Sequence, residues 1–391
     1  MTNFTYYIPT KIIFGKNEHK NVGAIINEYG YKKVLLHYGS GSIKSNGCYD
    51  DIVESLSSSG IDFVELSGVE PNPKISLVRE GVRICKENGI ELILAVGGGS
   101  VIDSAKAIGF SALEDFDPWD YFDGVAKPQK AIPIGVVLTL SASGSEMSSS
   151  CVITNEELGL KRGCGTELNR PLFSILNPEL TYTVNKYQTA CGIVDIMMHT
   201  LERYMTKIGS ASPTDDIAVS IVKSTMRNGV TALSDPRNYE ARAALMWNGT
   251  LSHNGLTGLG REYFMISHQI EHEISGMYDR ISHGAGLAIV FPAWCKWAYK
   301  YDIPRFLSFA KDIMEVDDMG SDEATILAAI DKLKAFFVSI GMPVRLSDVG
   351  ITDESKFEEM AVKCTRYGKR VLGGFINYGV KEIVEILNIA K

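Results

Sequence analysis

Through roughly its first 180 residues the chain alternates short apolar runs with amphipathic stretches, and that alternation leaves few folds open to it. Lys33–Tyr38 is an apolar run closed by Gly39-Ser40-Gly41-Ser42, and Tyr49–Leu56 then reads as helical. Asp62–Leu66 reads as a strand. Ser76–Asn88 carries Leu77, Val78, Val82 and Ile84 at helical spacing, and Glu91–Val96 and Ala131–Thr139 are further buried strands. Strand and helix in this alternation predict a parallel sheet covered by helices on both faces. After Asn177-Pro178, β-branched runs become rare. Helical patterns then succeed one another at Ile193–Tyr204, Asp215–Arg227, Tyr239–Leu251, Phe264–Met277, Thr325–Ile340 and Lys381–Ala390. The expectation is an α/β dinucleotide-binding domain over 1–180 and an all-α domain over 181–391. A chain of 391 residues is too long for one core, and no internal repeat stands out.

Charge and composition exclude several classes of function. The formal net charge is −8, which argues against nucleic acid, because phosphate contacts need a clustered basic surface. The longest apolar stretch, Ala285–Cys295, contains Pro292 and falls well short of the roughly 20 residues of a membrane helix. The amino terminus has neither the basic start nor the small-residue cleavage site of a signal peptide. Seven scattered cysteines without a C-x-x-C pair suggest neither a disulfide framework nor a thiolate zinc site, and a reducing cytoplasm fits best.

Two turns follow strands of the first half. Gly97-Gly98-Gly99-Ser100 comes directly after Leu92–Val96 and opens a helix over Val101–Phe110, with Asp103 and Lys106 in its first turns. Glycines let backbone approach a ligand closely, and the free N–H groups of a helix start suit a pyrophosphate. The same turn also serves as a plain strand-to-helix connection. Gly39-Ser40-Gly41-Ser42 does not have G-x-G-x-x-G spacing, since Lys occupies position 44, and there is no P-loop motif. A strand end that holds a free ribose hydroxyl usually carries Asp or Glu. Here it carries Gly39, Ser40 and Ser42, with Lys44 nearby. Room and a positive charge suit a 2′-phosphate, so NADP(H) is expected over NAD(H).

Four of the seven histidines lie in two short stretches of the helical half. Asp195 and His199 are four residues apart, on one helix face, and His268 and His272 repeat that spacing, with His283 close behind. Such groups supply the N/O donors of a divalent ion, and the absence of thiolates points to Fe(II), Zn(II) or a similar metal. Pairs of this kind also occur as ordinary surface or buried hydrogen-bonded pairs. His253 reads as a turn residue, while His19 and His37 are expected at the surface or in a cofactor pocket.

Taken together, the motifs resemble the iron-containing (group III) alcohol dehydrogenases, nearest the butanol dehydrogenase branch. The resemblance runs through Glu70-Pro-Asn-Pro73, Gly97-Gly-Gly-Ser-Val-Ile-Asp103 and Thr139-Leu-Ser-Ala-Ser-Gly-Ser-Glu146. It continues through Asn177-Pro-Glu-Leu-Thr181, Gly192-Ile-Val-Asp-Ile-Met-Met-His199, His268-Gln-Ile-Glu-His-Glu273 and His283–Pro292. It implies a catalytic cleft between the two domains, the architecture shared with dehydroquinate synthases. It implies Asp195, His199, His268 and His283 as ligands of one metal, Fe(II) before Zn(II), with His272 a nearby pocket residue and candidate proton carrier. Gly98, Gly99 and Ser100 would hold the pyrophosphate. Asn72, Asp103, Thr139, Ser143 and Lys161 would complete the cofactor set.

Three features depart from the family pattern: Ser143 replaces the usual Thr, Asp279–Ser282 forms the spacer before His283, and Ile193-Val194 flank Asp195. The implied reaction is hydride transfer between NAD(P)(H) and a primary alcohol/aldehyde pair, of butanol dehydrogenase or aldehyde reductase type. A dehydroquinate synthase-like lyase and a glycerol dehydrogenase-like polyol oxidoreductase are the alternatives on this plan. Met197, Met198, Ile270, Met277 and Phe291 surround the ligand segments and basic residues are sparse, which favours aliphatic or aromatic substrates. Thr5–Phe14 is β-rich and suited to pairing across a subunit boundary, so a homodimer is expected.

Overall fold

Strands that are apolar on both sides must be covered on both sides, and the first part of the chain is built to satisfy this. The computed structural model describes residues 1–207 and 212–391. Its strands are β1 (Lys11–Phe14), β2 (Lys33–Gly39), β3 (Asp62–Val69), β4 (Leu92–Gly97), β5 (Ile134–Leu138), β6 (Ser150–Asn155), β7 (Leu160–Gly165) and β8 (Phe173–Leu176). Six of them form one parallel sheet in the order β1-β8-β5-β4-β2-β3, and β6 and β7 form an antiparallel hairpin. The helices of this part are α1 (Val22–Glu28), α2 (Ser42–Ser45), α3 (Cys48–Ser58), α4 (Ile75–Asn88), α5 (Gly99–Ser111) and α6 (Pro118–Asp123). Along β4, Leu92, Leu94 and Val96 join the core that holds Ile25, Ile26, Ile52 and Leu56 of α1 and α3. Ile93 and Ala95 join the opposite core, with Val78, Ile102, Ile108 and Phe122 of α4, α5 and α6.

The sheet order carries a consequence for binding. From β2 the chain moves to the edge strand β3, crosses back to β4, and then proceeds in the other direction to β5. The crossover direction therefore reverses between β2 and β4, and ligands of open α/β sheets bind outside the carboxyl ends of strands at such a point. Gly39–Ser42, Gly97–Ser100 and Thr139–Ser143 leave the carboxyl ends of β2, β4 and β5, which are adjacent.

The remaining helices are α7 (Lys186–Tyr204), α8 (Ser212–Ser234), α9 (Tyr239–His253), α10 (Ile266–Met277), α11 (His283–Ala298), α12 (Ile303–Ser308), α13 (Asp322–Ser339), α14 (Ser355–Cys364) and α15 (Val380–Ile389). By contacts the chain forms two units. One comprises Tyr7–Val184 with Asp235–Thr250, and the other comprises Met1–Tyr6, Asn185–Ser234 and Leu251–Lys391. In the helical unit α11 packs on α7, α10, α13 and α15 and is buried along nearly its whole length. The apolar stretch Ala285–Cys295 is thus a central core helix, which needs no polar face. Among the described residues no helix is long and apolar enough to cross a membrane.

Hairpin β6–β7 and strand β8 have no counterpart in the sequence pattern, because SCVITN, LKRGCG and FSIL are short or broken by glycine and charge. Of the β-rich Thr5–Phe14, only Lys11–Phe14 is a strand, and it pairs within the chain, parallel to β8, as one edge of the sheet. Of the two places expected for His19 and His37, surface or cofactor pocket, the surface is excluded, since both lie in the interior. His19 contacts Asp51 (3.0 Å).

His37 sits in β2 with no exposed surface. Its Nδ1 lies 2.9 Å from the Leu66 carbonyl, which can only accept, so Nδ1 carries the proton and Nε2 accepts from the Ser104 hydroxyl (2.9 Å). Burial pushes its pKa from 6.5 down to about 4. As pH falls below 6.5, the unfolded chain takes up a proton that the folded chain refuses, so this contribution to stability is lost on the way down to pH 4. A shift of this size corresponds to about 3 kcal/mol. Urea unfolding from pH 7 to pH 4 should show wild type losing about that much more than His37→Gln. Identical pH profiles for the two proteins would contradict this account of His37.

Candidate functional site

Asn185 caps α7 by accepting from the Gln188 N–H, and the helix runs unbroken to Tyr204. Its 3.6-residue period puts Asp195, His199 and Glu202 on one face. His268 lies in the first turn of α10, and His283 is the first residue of α11. Gly284 allows α11 to come against α7, since a Cβ there would stand 2.7 Å from the Cys191 Cα. The three helices therefore bring together groups up to 88 positions apart in the sequence.

Asp195 is the point on which they converge. Its Oδ1 lies 3.0 Å from His199 Nδ1, 3.9 Å from His268 Nε2 and 3.8 Å from His283 Nε2. The His199 and His268 ring centroids are 4.5 Å apart, and those of His268 and His283 are 5.2 Å apart. Asp195, His199 and His268 are buried, whereas the His283 side chain is 24% exposed, so the cluster is most open at His283. His272 adjoins that open side, its ring 5.5 Å from that of His283. His253 is the last residue of α9 instead of a turn residue, and its ring packs edge-on to His199 at 4.0 Å.

The electrostatics suit a cation. Burial lowers the pKa of His199, an effect that Asp195 partly offsets. Burial, reinforced by the neighbouring imidazoles, holds His268 well below its ordinary value. Both rings are therefore neutral at physiological pH, which is the ligating form. His268 Nε2 is buried and has no hydrogen-bond partner among the described residues. One carboxylate and three imidazoles, with no thiolate, form a donor set that fits Fe(II) or Zn(II).

Two further groups at this cluster were not singled out from sequence. Glu202 bonds His268 Nδ1, and Glu271 bonds His283 Nδ1. Their signal lay in the spacing: Asp195, His199 and Glu202 at i, i+4 and i+7, and Glu271 three residues after His268. The apolar residues expected to line a pocket behave differently from expectation. Met197, Met198, Ile270 and Phe291 have no exposed surface and belong to the helical core, because their helices are covered on several sides, and only Met277 is partly open.

In the sheet-containing unit the glycine turn is held by close packing. A Cβ on Gly98 would stand 3.1 Å from that of Leu140, and one on Gly99 would strike the Ser143 hydroxyl. Gly98 itself is extended, with φ −89°. The Thr139 N–H donates to Gly97 (3.0 Å), so Thr139 and Ser143 flank the turn directly. The Lys161 ammonium donates to the Asn72 side-chain Oδ1 (2.9 Å), joining two residues 89 positions apart, and Asn72 adopts a left-handed φ of 55°. Asp103 accepts from the Ser145 hydroxyl (2.5 Å) and the Val152 N–H (2.9 Å). Lys106 is buried, donating to oxygens of Ser145, Ser148 and Ser150, and burial lowers its pKa to about 8. These two side chains tie the 145–152 segment to α5. Gly39, Ser40 and Ser42 stand at the end of β2. Nearby, the Lys44 ammonium lies over the Tyr49 ring (4.5 Å) and the Tyr38 ring (5.2 Å), and both phenols donate to Glu65.

Comparison with known proteins places this geometry in context. Residues 9–178 match the family "Iron-containing alcohol dehydrogenase", and residues 189–390 match "Fe-containing alcohol dehydrogenase family, C-terminal". The chain is 42% identical over 388 residues to a probable NADH-dependent butanol dehydrogenase 1 of Bacillus subtilis, covering 99% of each. It is 37% identical over 378 residues to the NADPH-dependent aldehyde reductase YqhD of Escherichia coli, covering 95% of each. Its structure is similar to that of NADH-dependent butanol dehydrogenase A from Thermotoga maritima, with a TM-score of 0.96 and 40% identity, covering 100% of this chain and 99% of that one. With both halves matched and relatives spanning its whole length, the chain belongs to the iron-containing alcohol dehydrogenase family.

Proposed function

We propose that the protein interconverts a primary alcohol and its aldehyde by hydride exchange with NAD(P)(H), using one divalent metal held by Asp195, His199, His268 and His283. The observation that carries the reading is that Nε2 of His268 and Nε2 of His283 both lie within 4.0 Å of a single Asp195 oxygen, with the His199 ring beside them, its Nδ1 held by the Asp195 carbonyl so that Nε2 is its free donor. A cation bound there supplies a Lewis acid that stabilises negative charge on the substrate oxygen. Asp195 and the neutral imidazoles hold that charge in place, and the buried surroundings strengthen its field. His272, on the open side of the cluster, carries the proton to and from the substrate oxygen. Fe(II) is the preferred ion, with Zn(II) a competent substitute for the same donors.

The cofactor lies over the carboxyl ends of β2, β4 and β5, its pyrophosphate on the N–H groups of Gly99 and Ser100 at the start of α5. Gly98, Thr139, Ser143, Asn72 and Lys161 complete the contacts, and Asp103 fixes the segment that follows Ser143. NADP(H) is the preferred form, because the end of β2 offers Gly39, Ser40 and Ser42 in place of an acidic residue, with Lys44 at hand. Short-chain alcohols of the butanol type are the substrate class, a reading supported by the names of the relatives. The protein works as a homodimer in the cytoplasm, and the sheet-edge position of β1 together with the exposed Phe4 and Tyr7 before it supports an association there.

Two measurements test this reading. His268→Ala should purify folded but metal-poor, with butanal reduction down on the order of 10³-fold, the equivalent of about 4 kcal/mol of lost charge stabilisation. Full activity with stoichiometric metal would overturn the ligand set. Wild type should show a higher kcat/KM with NADPH than with NADH. Gly39→Asp should cut the NADPH value by about tenfold or more, since a like charge beside the 2′-phosphate costs at least about 1.4 kcal/mol. A wild-type preference for NADH would reject the assignment at β2.

A further inference from the structure

The metal reading leaves two buried carboxylates unassigned, and their geometry is specific. Glu202 is 1% exposed, and Glu271 has no exposed side-chain surface. Each reaches from one helix to an imidazole on the next. Glu202 of α7 bonds Nδ1 of His268 on α10, and Glu271 of α10 bonds Nδ1 of His283 on α11. In both rings it is the other nitrogen, Nε2, that lies 3.8–3.9 Å from Asp195 Oδ1. We propose that Glu202 and Glu271 are positioning residues that fix the tautomer and ring orientation of His268 and His283, so that both present a bare Nε2 to the metal.

The argument rests on what an imidazole can do. A neutral ring has one N–H and one lone pair. Burial pushes the Glu202 pKa up to about 8, but its two oxygens accept the Ser267 and His268 N–H groups, which favours the ionised form. A carboxylate can only accept, so the ring proton goes to Nδ1 and the lone pair to Nε2. A ring free to choose would spend part of its time with the proton on Nε2, where it blocks ligation. The carboxylate also raises the basicity of the ring it holds, which strengthens the bond to a cation.

Other contacts mark the two glutamates as built into the framework. Met265, the residue before α10, offers the helix no side-chain cap. Glu202 supplies the cap from α7, accepting from the N–H groups of Ser267 (2.5 Å) and His268 (3.1 Å). One side chain thus sets both the start of α10 and the rotation of the ring in its first turn. Glu271 occupies space that α11 leaves open at Gly286, where a Cβ would stand 2.7 Å from the Glu271 Cγ and 2.9 Å from its Oε1. The pairs run α7 to α10 and α10 to α11, linking the three helices that carry the cluster.

This inference rests on the metal reading above, and metal affinity separates the two. Apoprotein of wild type, Glu202→Gln, Glu271→Gln and His268→Ala would be titrated with Zn(II) alone against a chromophoric chelator, with far-UV circular dichroism of each apo form. If the metal reading holds, wild type binds one ion and His268→Ala binds far more weakly. If the positioning role holds, both glutamine variants keep the wild-type dichroism and bind Zn(II) about 10–100-fold more weakly. Glu271 lies in the middle of α10 and takes no part in the cap that Glu202 supplies, so its variant decides the matter even if the loss of that cap unfolds Glu202→Gln. Wild-type affinity in Glu271→Gln would overturn the proposal while leaving the metal site intact. Failure of wild type itself to bind one ion would overturn the metal reading as well.

Discussion

A carboxylate drawn into the interior and ringed by imidazoles is expensive unless a cation joins it, and the helical unit is organised around such a group. Asp195, Glu202 and Glu271 all lie inside the same three-helix assembly, the first at the centre and the others behind the rings. Removing charges from water costs several kcal/mol per ion, and repayment requires close partners of opposite sign. The imidazoles of His268 and His283 bond Glu202 and Glu271 but do not balance the negative charge gathered there. A divalent ion at the shared point would balance it, drawing the donors of α7, α10 and α11 onto one centre. The central position of α11, with Gly284 set against the α7 backbone, is the structural condition for that convergence.

The other unit solves a separate problem with different means. A parallel sheet buried on both faces presents its strand ends as a row of turns, and the reversal of strand order between β2 and β4 opens a place beside them. Glycines at 98 and 99 let the Thr139–Ser143 segment lie directly against the turn that begins α5. Lys106 and Asp103, buried beneath, hold the chain that follows by bonds to Ser145, Ser148, Ser150 and Val152. A rigid backbone cradle of this sort favours an anionic ligand of fixed shape.

Much of this was legible from residue order alone, and the parts that were not have a common cause. Alternating strand and helix signals along 33–139 follow from periodicity, which is local, so β2 to β5 and α3 to α5 were readable, as was the pairing of Asp195 with His199 on one helix face. His37 misleads because it is an imidazole inside the buried run Val34–Tyr38, and its partners Leu66 and Ser104 stand 29 and 67 positions away. Glu202 and Glu271 went unnoticed because their meaning depends on rings 66 and 12 positions distant, which only the packing of α7, α10 and α11 brings into reach. Met197, Met198, Ile270 and Phe291 are apolar and stand beside the histidine segments in sequence, which suggests pocket walls. Residue order did not reveal that their side chains point into the core, since a helix covered on several sides has no apolar stripe to distinguish wall from interior.

The central claim is that one ion takes its ligands from Asp195 and three imidazoles. X-ray absorption at the metal edge of the loaded protein tests it most directly. The account predicts one metal per chain and a nearest shell of nitrogen and oxygen only, with the multiple-scattering pattern of three imidazole rings. Sulfur in that shell, or a pattern that fits a single imidazole, would contradict it.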